Sequence, residues 1–184
     1  YLLWSGTLRR AITASDVAYG NGKGSAGFLS VIDPGRPEET RLGKVIVLPE
    51  RLYSIWGARV TYIAQLELLA VLVALIEVAG LVRGANSIWF IDNVAALMAL
   101  VKGSSGSHSL DQMAKIVHLA CFAIRTVPYF EYVESKANWA DEVSRLGTQG
   151  TWAPRNAFSV KECGVVAELL TLPCIAVIMI FEYL

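Results

Sequence analysis

The chain has 184 residues, 54% of them apolar and 17% charged, which is enough for one ordinary domain with a real core and too apolar for disorder. Lysine plus arginine equals aspartate plus glutamate at 16 each, so net charge argues for no partner. A nucleic-acid binder of this composition has to gather its basic residues on one face.

Tyr1 stands first in place of methionine, and Tyr1 to Trp4 is too short for a signal peptide, so the sequence reads as a piece of a longer polypeptide. Residues 1–8 show no period and read as the tail of a preceding linker. Arg9 to Tyr19 and Ser25 to Ile32 are β-prone runs on either side of a glycine-rich corner, Gly20-Asn21-Gly22-Lys23-Gly24, and together predict a β-hairpin. The turn Asp33-Pro34-Gly35-Arg36-Pro37 stops the second strand, and Thr40 to Leu48 predicts a third, antiparallel to it. From Thr61 to Val82 runs a long helix, apolar on nearly every side, which must be covered on nearly every side. Its two acids, Glu67 and Glu77, are ten residues apart and are expected roughly on one face. Ser87 to Ile91 is a short buried strand with Asp92 at its carboxyl end, and Asn93 to Lys102 a helix stopped by Gly103. After a Ser/Gly loop, a helix capped by Ser109 or Asp111 runs to about Thr126. Pro128 marks a break, Tyr129 to Val133 is the last expected strand, and Asn138 to Leu146 a helix with Asp141 in its first turn. The order implies an α/β fold with a mixed five-stranded sheet, antiparallel at one edge, parallel elsewhere and flanked by helices.

Cys121, Cys163 and Cys174 are odd in number, widely spaced and without a C-x-x-C pair. That favours buried structural thiols in a reducing, intracellular compartment, cytoplasmic or nuclear, over disulfides or a metal site. Of the two histidines, His118 lies within an apolar helix and reads as a packed side chain.

Four acids invite a chemical reading. Asp16 sits in mid-strand, where a carboxylate is costly unless a cation meets it. If its strand and that of Asp92 are parallel neighbours, the two acids stand side by side at strand ends, where ligand sites of such sheets gather. Glu67 interrupts the run Leu66, Leu68, Leu69, Ala70 and can reach in from the long helix, and Asp141 from the last one. Crowded carboxylates cannot all ionise without cations, and hard oxygen donors select Mg²⁺ or Mn²⁺. The residues alone leave a plainer reading open: Asp92 as a cap of the following helix, Asp141 as a first-turn acid, and most of the rest as surface charge.

Four segments in order resemble one family. They are S-D-V-A-Y-G-N-G-K-G-S-A-G-F, L-E-L-L-A-V-L-V-A-L, I-D-N-V-A-A-L and S-K-A-N-W-A-D-E-V-S-R, whose last piece is similar to an A-N-x-A-D-x-x-S-R ending. Together they resemble the ribonuclease H domain of retroelement reverse transcriptases over about residues 9 to 147. The resemblance implies that Asp16, Glu67, Asp92 and Asp141 are catalytic and bind two Mg²⁺ ions, with Mn²⁺ able to substitute. It implies hydrolysis of the RNA strand of an RNA–DNA hybrid, one ion activating water and the other stabilising the leaving 3′ oxygen. It also implies hybrid contact near Gly20, Asn21 and Gln65, through 2′-hydroxyls and backbone shape, and an adjoining reverse transcriptase domain. Two departures from the family stand out. The loop Glu134-Ser135-Lys136-Ala137 lacks the histidine many cellular members carry there, and Gly103 to Ser109 has no basic handle. Hybrid affinity then falls to the neighbouring domain or to scattered Lys23, Lys44, Lys102, Lys136 and Arg145.

The resemblance divides the chain into a ribonuclease H-like domain, residues 1–147, and an apolar extension, residues 148–184. Thr148 to Asn156 reads as linker. Leu169 to Phe181 is uncharged but broken by Pro173 and too short to span a bilayer straight, so a membrane anchor is disfavoured against a segment packed on the domain or on a partner. Two other functions remain open: a different nuclease of the same fold, and a non-catalytic or repurposed binding domain.

Overall fold

The computed structural model describes residues 9–20, 23–57 and 61–164. The expectations for residues 1–8, Asn21, Cys174 and Leu169 to Phe181 lie outside the described residues. The elements are β1 (Arg10–Gly20), β2 (Lys23–Ile32), β3 (Thr40–Val47), α1 (Arg51–Trp56), α2 (Ile63–Val82), β4 (Asn86–Ile91), α3 (Val94–Lys102), α4 (His108–Ala123), β5 (Val127–Tyr132), α5 (Asp141–Leu146), α6 (Trp152–Arg155) and β6 (Ser159–Gly164). They form one sheet in the order β5-β4-β1-β2-β3-β6. The β1/β2 and β2/β3 pairs are antiparallel, as two short turns dictate. The β1/β4 and β4/β5 pairs are parallel, as connections through helices dictate.

The helix α2 organises the core. It is long and apolar enough to cross a membrane, yet its surface is met by the sheet and by α4, and Leu66, Leu68, Leu69, Leu72 and Leu75 are fully buried. Each such leucine contributes roughly 1.5–3 kcal/mol through area removed from water. Phe28, Ile32, Trp89 and Ile91 cover the same side from the sheet. On the opposite face a smaller cluster joins Leu29 and Val31 of β2 to Val143 of α5, Ala153 of α6 and Phe158.

Among the described residues the sheet has six strands, not five: β6 runs parallel to β3, pairing Leu42–Val47 with Ser159–Gly164. The segment Ser-Val-Lys-Glu-Cys-Gly carries no apolar alternation because it is an edge strand held by backbone bonds, with most of its side chains exposed. The stretch expected as linker holds a 3₁₀ turn, Gly147–Gln149, and the short helix α6, fastened by Trp152 stacked on Phe158 at 6.1 Å. Pro128 lies inside β5 rather than before it, a position that an edge strand tolerates. Glu77 does not share a face with Glu67: ten residues at about 100° each leave an offset of roughly 80°, and Glu77 pairs with Lys44 at 3.1 Å instead. The helix expected from Asn138 begins only at Asp141, which does stand in its first turn. His118 is packed as expected, with Nε2 2.7 Å from the Leu100 carbonyl oxygen and its ring edge-on to Phe130.

Candidate active site

Parallel pairing of β1 with β4 runs in register from Arg10↔Asn86 to Ala14↔Phe90. Carried two residues further, the same register sets Asp16 beside Asp92, just past the end of β4. Asp92 is free to face Asp16 because Asn93, not Asp92, caps α3: Asn93 Oδ1 accepts from the Ala96 amide at 3.0 Å. Glu67 enters from the first turns of α2 and is 1% exposed. Asp16, Glu67 and Asp92 each present a carboxylate oxygen, and the three oxygens lie within 4.8 Å of one another.

Burial and like charge act together on these groups. Burial pushes the Asp16 carboxyl up to about 6, against a bond from the Ser144 hydroxyl, and the charges of Asp92 and Asp141 push the same way as burial. Burial, then the charges of Asp92 and Asp16, hold Glu67 well above the ordinary carboxylate range, with a bond from the Val17 amide in partial opposition. Glu67 Oε2 is buried and has no hydrogen-bond partner. A donor set of oxygen atoms only, excess negative charge and an orphaned buried oxygen together fit a hard divalent cation such as Mg²⁺ or Mn²⁺.

Asp141 lies outside this group of three. It is about a third exposed and its Oδ1 accepts from Arg145 Nε at 2.7 Å, although its charge still bears on Asp16. Gly20 ends β1 with open space where a side chain would stand. Beside it lies a cavity of about 500 Å³ lined in part by Tyr19, Lys23, Gly24, Ile63 and Arg145. Gln65 is buried, and its Nε2 donates to Ser109 Oγ of α4 at 3.3 Å, so it faces a helix neighbour.

Three residues not singled out in the sequence also touch the acids. Asn138 Nδ2 lies 3.4 Å from Asp16 Oδ1, Ser144 Oγ donates to Asp16 Oδ2, and Ser135 Oγ donates to Asp92 Oδ2 at 2.7 Å. All three fall within S-K-A-N-W-A-D-E-V-S-R, so the segment was visible in the sequence while its partners, more than 40 residues away, were not.

No protein-family model matches the chain, and no curated protein matches it in sequence. Solved structures similar to it include the N-terminal RNase H domain of rv2228c from Mycobacterium tuberculosis, determined as a fusion with maltose-binding protein. That likeness has a TM-score of 0.48 and 15% identity, covering 80% of this chain and 98% of the other. The prototype foamy virus protease-reverse transcriptase is similar at a TM-score of 0.46 and 14% identity, over 78% of this chain and 21% of the viral one. This chain thus spans about a fifth of that protein's length. Strand order, strand directions and the crossover through α2 between β3 and β4 give the chain a mixed α/β fold, its sheet antiparallel around β2, parallel elsewhere and flanked by helices.

Proposed function

We propose that the chain is a metal-dependent endonuclease that hydrolyses the RNA strand of RNA–DNA hybrids, as the ribonuclease H part of a retroelement reverse transcriptase. The observation that carries the proposal is the trio of buried Asp16 and Glu67 with half-buried Asp92, Glu67 Oε2 lacking any partner. The ordered motifs of the sequence supply the substrate class.

Asp16, Glu67 and Asp92 would hold Mg²⁺, with Mn²⁺ as a substitute, and Asp141 would join them on leaving Arg145. Divalent ions bound there supply Lewis acidity at the scissile phosphate and make water more acidic. The chain's own part is to set carboxylates from β1, β4 and α2 in fixed positions on rigid elements. Lys23 and Arg145 in the adjoining cavity carry the charge to meet backbone phosphates. Gly20, lacking a side chain, lets a nucleic-acid backbone approach the end of β1. A hybrid would be told from DNA by its 2′-hydroxyls.

The test is incubation of the protein with labelled RNA–DNA hybrid and Mg²⁺, alongside DNA duplex and branched DNA. Cleavage confined to the RNA of the hybrid supports the proposal. Cleavage of DNA substrates instead points to another nuclease of the same fold. No cutting of the hybrid at any protein or metal concentration overturns it.

A further inference from the structure

One short stretch grips Asp16 from both sides. Asn138, 6% exposed, donates from Nδ2 to the Ser15 carbonyl at 2.9 Å and reaches Asp16 Oδ1 at 3.4 Å. The orientation of its amide is set by the other end, where Asn138 Oδ1 accepts from the Ala140 amide at 3.1 Å. Ser144, 1% exposed, donates from Oγ to Asp16 Oδ2. One donor on each oxygen fixes the plane of the carboxylate and leaves lone pairs on both oxygens for a further partner.

The chemistry of these donors matters as much as their position. An amide and a hydroxyl orient a carboxylate without cancelling its charge, whereas a buried lysine or arginine would neutralise it and compete with a metal ion. Arg145, whose charge bears on Asp16 and Asp92, is instead engaged by Asp141. The backbone is shaped to the same end. Gly27 of β2 stands directly opposite Asp16 in the ladder. A Cβ there would lie 2.6 Å from Val143 Cγ1 and 3.3 Å from the Ser144 amide nitrogen, so glycine lets α5 come close enough for Ser144 to reach Asp16.

We infer that Asn138 and Ser144 are positioning residues that hold the Asp16 carboxylate ready to share a divalent cation with Glu67 and Asp92. The inference rests on the metal-dependent reading of the site. Its test is calorimetric titration of the metal-free protein with Mn²⁺, without nucleic acid, for wild type, Ser144→Ala and Asn138→Ala. Loss of a group that orients a metal ligand weakens affinity about 10–100-fold, and each variant is expected in that range. Ser144→Cys, nearly isosteric with a weaker donor, should fall between wild type and alanine, and serves in place of Ser144→Ala if that variant does not fold. Turnover of hybrid should fall in kcat with KM for hybrid unchanged. Wild type that takes up no Mn²⁺ overturns the metal reading together with this inference. Wild type and all variants binding Mn²⁺ equally tightly overturns the inference alone.

Discussion

Replacing Glu67 by glutamine separates what the acid does for the fold from what it does for the site. The residue is 1% exposed, its Oε2 has no partner, and its carboxylate oxygen lies within 4.8 Å of oxygens from both Asp16 and Asp92. Two ionised carboxylates at that separation repel by about 3.5 kcal/mol at an effective dielectric constant of about 20. A carboxyl so placed escapes part of the cost by keeping its proton, so the penalty that remains in metal-free protein at pH 8 is on the order of 1–3 kcal/mol. Because folding raises the Glu67 pKa, this destabilisation is absent below the unfolded-state pKa and grows as pH rises through the folded-state one. In chelator at pH 8, Glu67→Gln should therefore raise Tm by about 2–12 °C for a chain of this size. The gain should vanish at pH 4, where glutamic acid and glutamine are both neutral. With Mn²⁺ at about a thousand times its Kd, wild type should gain about 4.1 kcal/mol and the variant little, so that their order reverses. Thermal melts by circular dichroism at both pH values, with and without Mn²⁺, provide the measurement. A variant no more stable than wild type at pH 8 in chelator would refute the electrostatic account. A gain that persists undiminished at pH 4 would refute it equally.

Asp92→Asn should lower hybrid cleavage by more than about a hundredfold, beyond the loss typical of groups that only support a metal ligand, while far-ultraviolet circular dichroism stays unchanged. Gly27→Ala should cost about 1–3 kcal/mol by overpacking, because its new Cβ must displace Val143 and the α5 backbone; a denaturant midpoint equal to wild type contradicts this. The Asp16 carboxyl rises from 3.8 to about 6 on folding, so its contribution to stability is full below pH 3.8 and is lost as pH passes 6. In metal-free protein that loss is on the order of 3 kcal/mol, and denaturant titrations of Asp16→Asn should show a flatter pH profile than wild type. Burial pushes the Cys121 thiol up to about 12, so a thiol reagent followed by peptide mass mapping should leave Cys121 unmodified until the protein unfolds.

The hairpin, the core helix and the two parallel strands were readable because each is written in local chemistry. Glycines mark the corner between β1 and β2. Alternating or continuous apolar runs mark the strands, and a long, mostly apolar run marks α2. The charged interruption at Glu67 marked that residue out, since a carboxylate inside such a run needs a reason to be there. The strand β6 and helix α6 were not readable in this way. One is a largely exposed edge strand held by backbone bonds, and the other is a single turn held by Trp152 against Phe158; neither mode leaves a period in the chain.

At the site, sequence named the acids and their segments, because residue type and spacing are local properties. Folding settled which of them meet. It brought Asp16, Glu67 and Asp92 within reach of one ion, left Asp141 bound to Arg145, and turned Gln65 toward Ser109. It also gave Asn138 and Ser144 their work, which depends on an aspartate more than 120 residues earlier. Such distances are set by register between parallel strands and by how closely a helix can approach across a glycine, and those are properties of packing rather than of any stretch of chain.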